Sequence, residues 1–139
     1  MVKISSLLRR KNSGFTLVEL LIVITILGLL MSLVAPKMFS KVSSTQRSTA
    51  VAQMQNLETS LDTYRLDVGS YPANLQELRS STKRGWDGPY LPKDVPLDPW
   101  GNPYQYESPG EGGLPYSLRS LGKDGQVGGT DDNEDIIHQ

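Results

Sequence analysis

Five acidic side chains, Asp124, Asp131, Asp132, Glu134 and Asp135, crowd the C-terminal end of this 139-residue chain, and no lysine or arginine follows Lys123. Carboxylates this dense repel one another unless water or a cation neutralises them. Gly122 shortly precedes them and Gly125, Gly128 and Gly129 lie among them, and glycine lets the backbone turn tightly and point its carbonyls inward. Carboxylate and carbonyl oxygens are hard ligands that suit Ca²⁺ at about 2.3–2.6 Å, whereas zinc asks for histidine or cysteine. The segment is no EF-hand: Asp131, Asn133 and Asp135 imitate the opening of one, but Ile136 stands where that loop needs glycine. On the residues alone, a solvated acidic tail and a calcium loop both fit.

A second carboxylate is out of place for the opposite reason. Glu19 is the one charge between Phe15 and Ala35, a run of 21 residues. A helix of that length rises about 30 Å, the thickness of a bilayer's hydrocarbon core. An acidic residue inside such a span is costly and usually functional. Lys3, Arg9, Arg10 and Lys11 precede the run, so the leader stays cytoplasmic and the rest of the chain is exported. A cleaved secretory signal would have an apolar stretch of about 7–15 residues followed by small residues; this run is longer and leads into Pro36-Lys37-Met38-Phe39.

These residues need elements to hold them. The helix is expected to run from Phe15 to Asp67, kinked at Pro36 and stopped at Gly69. Past the proline, Met38, Val42, Val51, Met54, Leu57, Leu61 and Tyr64 recur mostly three or four apart, the pattern of an amphipathic helix. The stripe from Val51 onward is expected to pack on the chain's own sheet. Lys37–Thr49, poor in apolar residues, is expected to reach toward the membrane or pack on neighbours. Asn74–Leu78 reads as a short helix with Asn74 and Glu77 at capping-box spacing. Seven of the nine prolines fall between Pro89 and Pro115, so this region is looped. Tyr104–Glu107 and Tyr116–Ser120 alternate as strands, and a small antiparallel sheet of about three strands should lie across the helix. Trp86, Tyr90, Trp100 and Tyr104 are expected to anchor the core and its loops.

Composition narrows the function. There is no cysteine, so no disulfide holds the domain. Fourteen basic against fifteen acidic residues give a net charge of −1; without residues 1–14 ten face fifteen, or −5, which speaks against a nucleic-acid surface. His138 is the single histidine, expected to be solvated and mobile, and no catalytic triad can be assembled around it. The glycines from Gly125 to Gly129 lack the lysine of a phosphate loop. The chain reads as a structural subunit, not an enzyme.

The stretch Lys11-Asn12-Ser13-Gly14-Phe15-Thr16-Leu17-Val18-Glu19 resembles the class III signal of type IV pilins and type II secretion pseudopilins. The resemblance implies that a prepilin peptidase cuts between Gly14 and Phe15 and that Phe15 becomes N-methylated. It also implies that Glu19 pairs with the α-amino group of a neighbouring subunit's Phe15. A carboxylate taken out of water needs such a partner. Trp86-Asp87-Gly88-Pro89-Tyr90-Leu91, Asp98-Pro99-Trp100-Gly101-Asn102-Pro103-Tyr104 and Tyr116–Gly125 are similar to the major-pseudopilin family of type II secretion. That family implies an α+β, type IV pilin-like fold: a long N-terminal helix packed on a small antiparallel sheet with a C-terminal calcium loop. The expected division is a leader over 1–14, a membrane-spanning assembly helix over 15–36 containing Gly28 and Pro36, and a periplasmic domain over 37–139.

For the loop, the resemblance implies Ca²⁺ ligands at Asp124 and Asp135, carbonyl ligands at Leu121 and at Gly129 or Thr130, and a middle acid among Asp131, Asp132 and Glu134. The implied function is a homopolymeric helical pseudopilus that drives export of folded proteins across the outer membrane from a single-pass subunit in the bacterial inner membrane. The implied partners are minor pseudopilins, an inner-membrane assembly platform with its ATPase, and the prepilin peptidase. The alternative is a type IV pilin for adhesion or motility, whose common C-terminal disulfide loop is absent.

Overall fold

The computed structural model describes residues 12–138, so the basic leader residues Lys3, Arg9, Arg10 and Lys11 lie outside the described residues. Helix α1 (Leu17–Val68, 52 residues) contains Pro36 without ending there. It begins two residues after Phe15 because Thr16 caps it. The Thr16 hydroxyl accepts the Glu19 amide at 3.1 Å, and the Glu19 carboxylate accepts the Thr16 amide at 3.3 Å. This reciprocal capping box satisfies two otherwise orphaned donors at the helix start. At the other end Gly69 takes φ 94°, a left-handed conformation open to glycine, and its amide donates to Arg65 at 2.8 Å.

The described residues form two compact units divided between Phe39 and Ser40. In the first, α1 is long and apolar enough to cross a membrane, and none of its apolar window is buried by the chain. The hydroxyls of Thr25 and Ser32 donate back to the Leu21 and Leu29 carbonyls at 2.7 and 2.6 Å. Such back-bonding lets a polar side chain sit in an apolar medium without an unmet donor.

In the second unit, α1 buries Ala50, Met54, Leu57, Leu61 and Tyr64. Steps of four and three keep these residues on one face. Ala50, not Val51, opens the buried stripe; Val51 lies one position off that face and is 41% exposed. Met38 and Val42, expected to begin the stripe, are also exposed. Leu75, Leu78, Leu91, Tyr104, Leu118 and Ile136 complete the core, with Val68, Trp86, Tyr90 and Trp100 packed against it.

The expected short helix is a 3₁₀ turn (Leu75–Leu78), with the Asn74 side chain accepting the Glu77 amide at 3.2 Å. Glu77 turns its own carboxylate toward the Tyr64 hydroxyl at 2.5 Å and the Lys83 ammonium at 3.1 Å. Burial opposes ionisation of Glu77, but these partners win and hold its carboxyl below the ordinary value.

Three antiparallel strands follow in the order β1 (Gln105–Glu107), β2 (Ser117–Ser120) and β3 (Ile136–His138). Tyr106 pairs with Leu118, and Leu118 in turn with His138. The first two strands start within a residue of expectation. The third had no assigned residues in the sequence, and it forms directly after the acidic segment.

Candidate functional site

Because β3 follows it, the acidic segment is a loop bridging β2 and β3 rather than a free tail. Two glycines make the closure possible. A Cβ on Gly129 (φ 100°) would lie 2.5 Å from the Asn133 carbonyl oxygen, and one on Gly122 (φ 71°) 2.9 Å from it. Across the neck of the loop the Lys123 amide donates to the Asp132 carbonyl at 2.9 Å. A 3₁₀ turn (Asp131–Asn133) begins after Thr130, whose carbonyl accepts the Asn133 amide at 3.0 Å. Asp131 itself adopts φ 53°, a left-handed conformation that aspartate tolerates better than most residues.

The two outer aspartates face into the loop's own backbone. Asp124 accepts the Gln126 amide at 3.1 Å, and one oxygen of Asp135 accepts the Gly128 amide at 3.0 Å. The other Asp135 oxygen is buried and has no hydrogen-bond partner among the described residues. An unmet buried carboxylate oxygen is unfavourable and suits a cation. No three acidic, histidine or cysteine side chains converge as a metal-binding group among the described residues. A calcium site here would therefore draw much of its coordination from carbonyls, as calcium chemistry allows. Of the middle acids, Asp132 is held by the Ser43 hydroxyl, Asp131 is exposed, and Glu134 lies 3.9 Å from the Arg47 guanidinium.

A second loop buttresses the first. Asp98 is buried and accepts the amides of Trp100 at 3.1 Å and Asn102 at 2.8 Å, and the Ser120 hydroxyl at 2.8 Å. Its turn presents Asn102, which donates to the Gly122 carbonyl at 3.1 Å. The Asp-Pro-Trp-Gly-Asn-Pro sequence carries the turn signal for this arrangement, but not its destination.

The sequence places a helix here but does not name the residues of it that hold the loop. Arg47 donates to the carbonyls of Asp131 at 3.1 Å and Glu134 at 3.0 Å. Ser43, Arg47, Ala50, Met54, Leu57, Leu61, Tyr64 and Val68 continue one face in alternating steps of four and three. The signal was present, but a polar continuation of an apolar stripe does not register as periodicity in hydrophobicity. His138 likewise corrects the expectation of a mobile side chain: it sits in β3, half-buried, against the Glu58 carboxylate of α1.

At the other end of the chain, Gly14 and Phe15 precede α1 and are exposed, Phe15 at 92%. Glu19 is engaged in the capping box, and Gly28 and Pro36 lie within α1.

Known proteins share this organisation. Residues 9–35 match the family model of the prokaryotic N-terminal methylation motif, and residues 37–139 match that of type II secretion system protein G. A type II secretion system core protein G of Pseudomonas aeruginosa is 40% identical over 136 residues, covering 92% of this chain and 95% of that protein. Its namesake in Aeromonas hydrophila is 41% identical over 133 residues, covering 89% and 92%. The crystal structure of the major pseudopilin from the type 2 secretion system of enterohaemorrhagic Escherichia coli superposes with a TM-score of 0.56 at 30% identity, covering 71% of this chain and 90% of that one. With the family model spanning residues 37–139 and relatives about 40% identical over nearly their whole length, this chain belongs to the type II secretion system protein G family.

Proposed function

We propose that this chain is the structural subunit of a type II secretion pseudopilus, held in the inner membrane by the apolar half of α1 with its remaining domain in the periplasm. It polymerises with copies of itself, joined by minor pseudopilins and extended by an inner-membrane platform and its ATPase, to drive export of folded proteins across the outer membrane. The observation that carries this reading is the apolar stretch of α1 that the chain leaves unburied in a member of this family. Such a surface needs lipid in storage and other helices in a fibre. Deleting the gene should abolish secretion of a type II substrate, and the wild-type gene should restore it. Normal secretion in the deletion strain would end the proposal.

Processing between Gly14 and Phe15, with methylation of Phe15, belongs to the same reading. Intact mass of the membrane-purified chain should show loss of residues 1–14 and one added methyl group. A retained leader would contradict it. Glu19 has two roles to separate, the cap on its own helix and the charge offered to a neighbour's terminal amine. Glu19→Gln keeps a capping-box residue but removes the charge. Fibre loss in both Glu19→Gln and Glu19→Ala supports charge pairing, whereas fibres in Glu19→Gln alone reduce Glu19 to a cap.

For the acidic loop, the residues that would hold Ca²⁺ are Asp124 and Asp135, with the carbonyls of Leu121 and of Gly129 or Thr130, and Asp131, Asp132 or Glu134 as the middle acid. The unpartnered buried oxygen of Asp135 supports this set. Bound calcium would supply the missing counter-charge and stabilise the fold by about 2.7 kcal/mol at a hundredfold excess over Kd. Chelation should lower the Tm of the full chain in detergent, and calcium but not magnesium should restore it. A Tm indifferent to both would return the loop to an ordinary acidic connection.

A further inference from the structure

We infer that Arg47 is the positioning residue of the acidic loop: it fixes the segment that presents Asp135 and so sets the loop's affinity for calcium. The metal-dependent half of this inference rests on the calcium reading proposed above.

The geometry is that of a clamp. One guanidinium nitrogen of Arg47 donates to two carbonyls, those of Asp131 and Glu134. These carbonyls bracket the 3₁₀ turn (Asp131–Asn133), so Arg47 grips the turn at both ends. Asp135 is the next residue along the chain. One helical turn earlier on the same face of α1, Ser43 donates to the carboxylate of Asp132. The contact between Arg47 and the Glu134 carboxylate is a lesser matter. It spans 3.9 Å, and the Glu134 side chain is 63% exposed, where solvent screening leaves little net attraction. Arg47 thus acts chiefly on backbone, and it does so from a helix whose buried stripe continues directly through Ala50 and Met54. The loop is tied to the helix that carries much of the domain's core, beside the residues that would hold calcium.

Two effects of Arg47 on a bound cation have opposite signs. A positive charge near the site repels calcium, whereas a pre-arranged backbone removes the ordering that binding would otherwise require. The Arg47 side chain keeps 30% of its surface exposed, so solvent screens part of its repulsion, while each freed residue of a glycine-rich loop adds to the ordering needed. Pre-arrangement therefore wins, and losing Arg47 weakens calcium binding. Lysine at this position keeps the charge but loses the planar fork, so it separates the two effects.

The test is calorimetric titration of the detergent-solubilised full chain with calcium chloride, for wild type, Arg47→Ala, Arg47→Lys and Ser43→Ala. Hydrogen exchange of the Asn133 and Glu134 amides is read in parallel with a chelator present. We expect Kd to rise about tenfold or more in Arg47→Ala, the usual effect of losing an outer support of a metal site. Arg47→Lys should be impaired nearly as much and Ser43→Ala less, with faster exchange at both amides in the arginine variants. Calcium binding as tight as wild type, or tighter, in Arg47→Ala would overturn the inference, because repulsion would then be the larger effect. Should wild type itself bind no calcium, the calcium reading fails and the exchange data alone decide the clamp. Faster exchange in Arg47→Ala sustains it, and unchanged exchange overturns it.

Discussion

The two halves of α1 belong to one helix and obey different rules. From Leu17 to Phe39 apolar residues occupy every side, and leucines, isoleucines and valines stand half or more exposed to whatever surrounds the chain. From Ser43 to Val68 a single face is used, apolar where it meets the domain core and polar where it meets the acidic loop. Amphipathicity is needed only where one side faces water. In lipid, or in a bundle of identical helices, every side is a contact surface, and hydroxyls such as those of Thr25 and Ser32 must satisfy themselves. The contrast teaches that a helix face is specified by its solvent.

The same substitution placed in each half gives the largest expected difference. Leu61 is fully buried, so Leu61→Ala should destabilise the domain by about 2–5 kcal/mol through lost transfer energy and the cavity left behind. Leu27 is half exposed, and Leu27→Ala should leave the domain's Tm unchanged while weakening membrane insertion by less than about 1 kcal/mol. Thermal denaturation of both variants in detergent checks this, and equal Tm losses would erase the distinction between the halves.

A smaller effect is expected at the helix start. Thr16→Ala removes half of the capping box, and loss of such a cap typically costs about 0.5–2 kcal/mol. Amide exchange in the first turn of α1 should quicken while the domain is untouched. Unchanged exchange would mean that the surrounding membrane or detergent, not the cap, holds the first turn.

The smallest expected effect lies at Glu77, on the water-facing side of the comparison. Its folded pKa is depressed by Tyr64 and Lys83, which outweigh the opposing effect of burial. The stability it contributes is present above its ordinary value of 4.5 and is lost as pH falls through the lower folded value. Glu77→Gln should therefore flatten the acid limb of the Tm-versus-pH curve below that point. An acid limb identical to wild type would show that other carboxylates govern it.

Sequence by itself determined the elements whose signals are local. Twenty-one residues with one charge specify a membrane-length helix, and Gly69 specifies its end, because hydropathy and backbone freedom are properties of the residues themselves. The motif around Gly14, Phe15 and Glu19 and the glycine-rich acidic run were legible in the same way, as was the alternation of the first two strands. Tertiary structure decided what depended on partners distant in the chain. Ile136–His138 is too short to announce itself as a strand and becomes one by pairing with β2. Val51 and Ala50 differ by one position, about 100° around the helix, and only the tertiary packing of the core chose Ala50 for burial. Arg47 reads as a surface charge until the loop more than eighty positions later folds onto it. Its two acceptors are backbone carbonyls, which every residue carries, so no side-chain pattern could have named them.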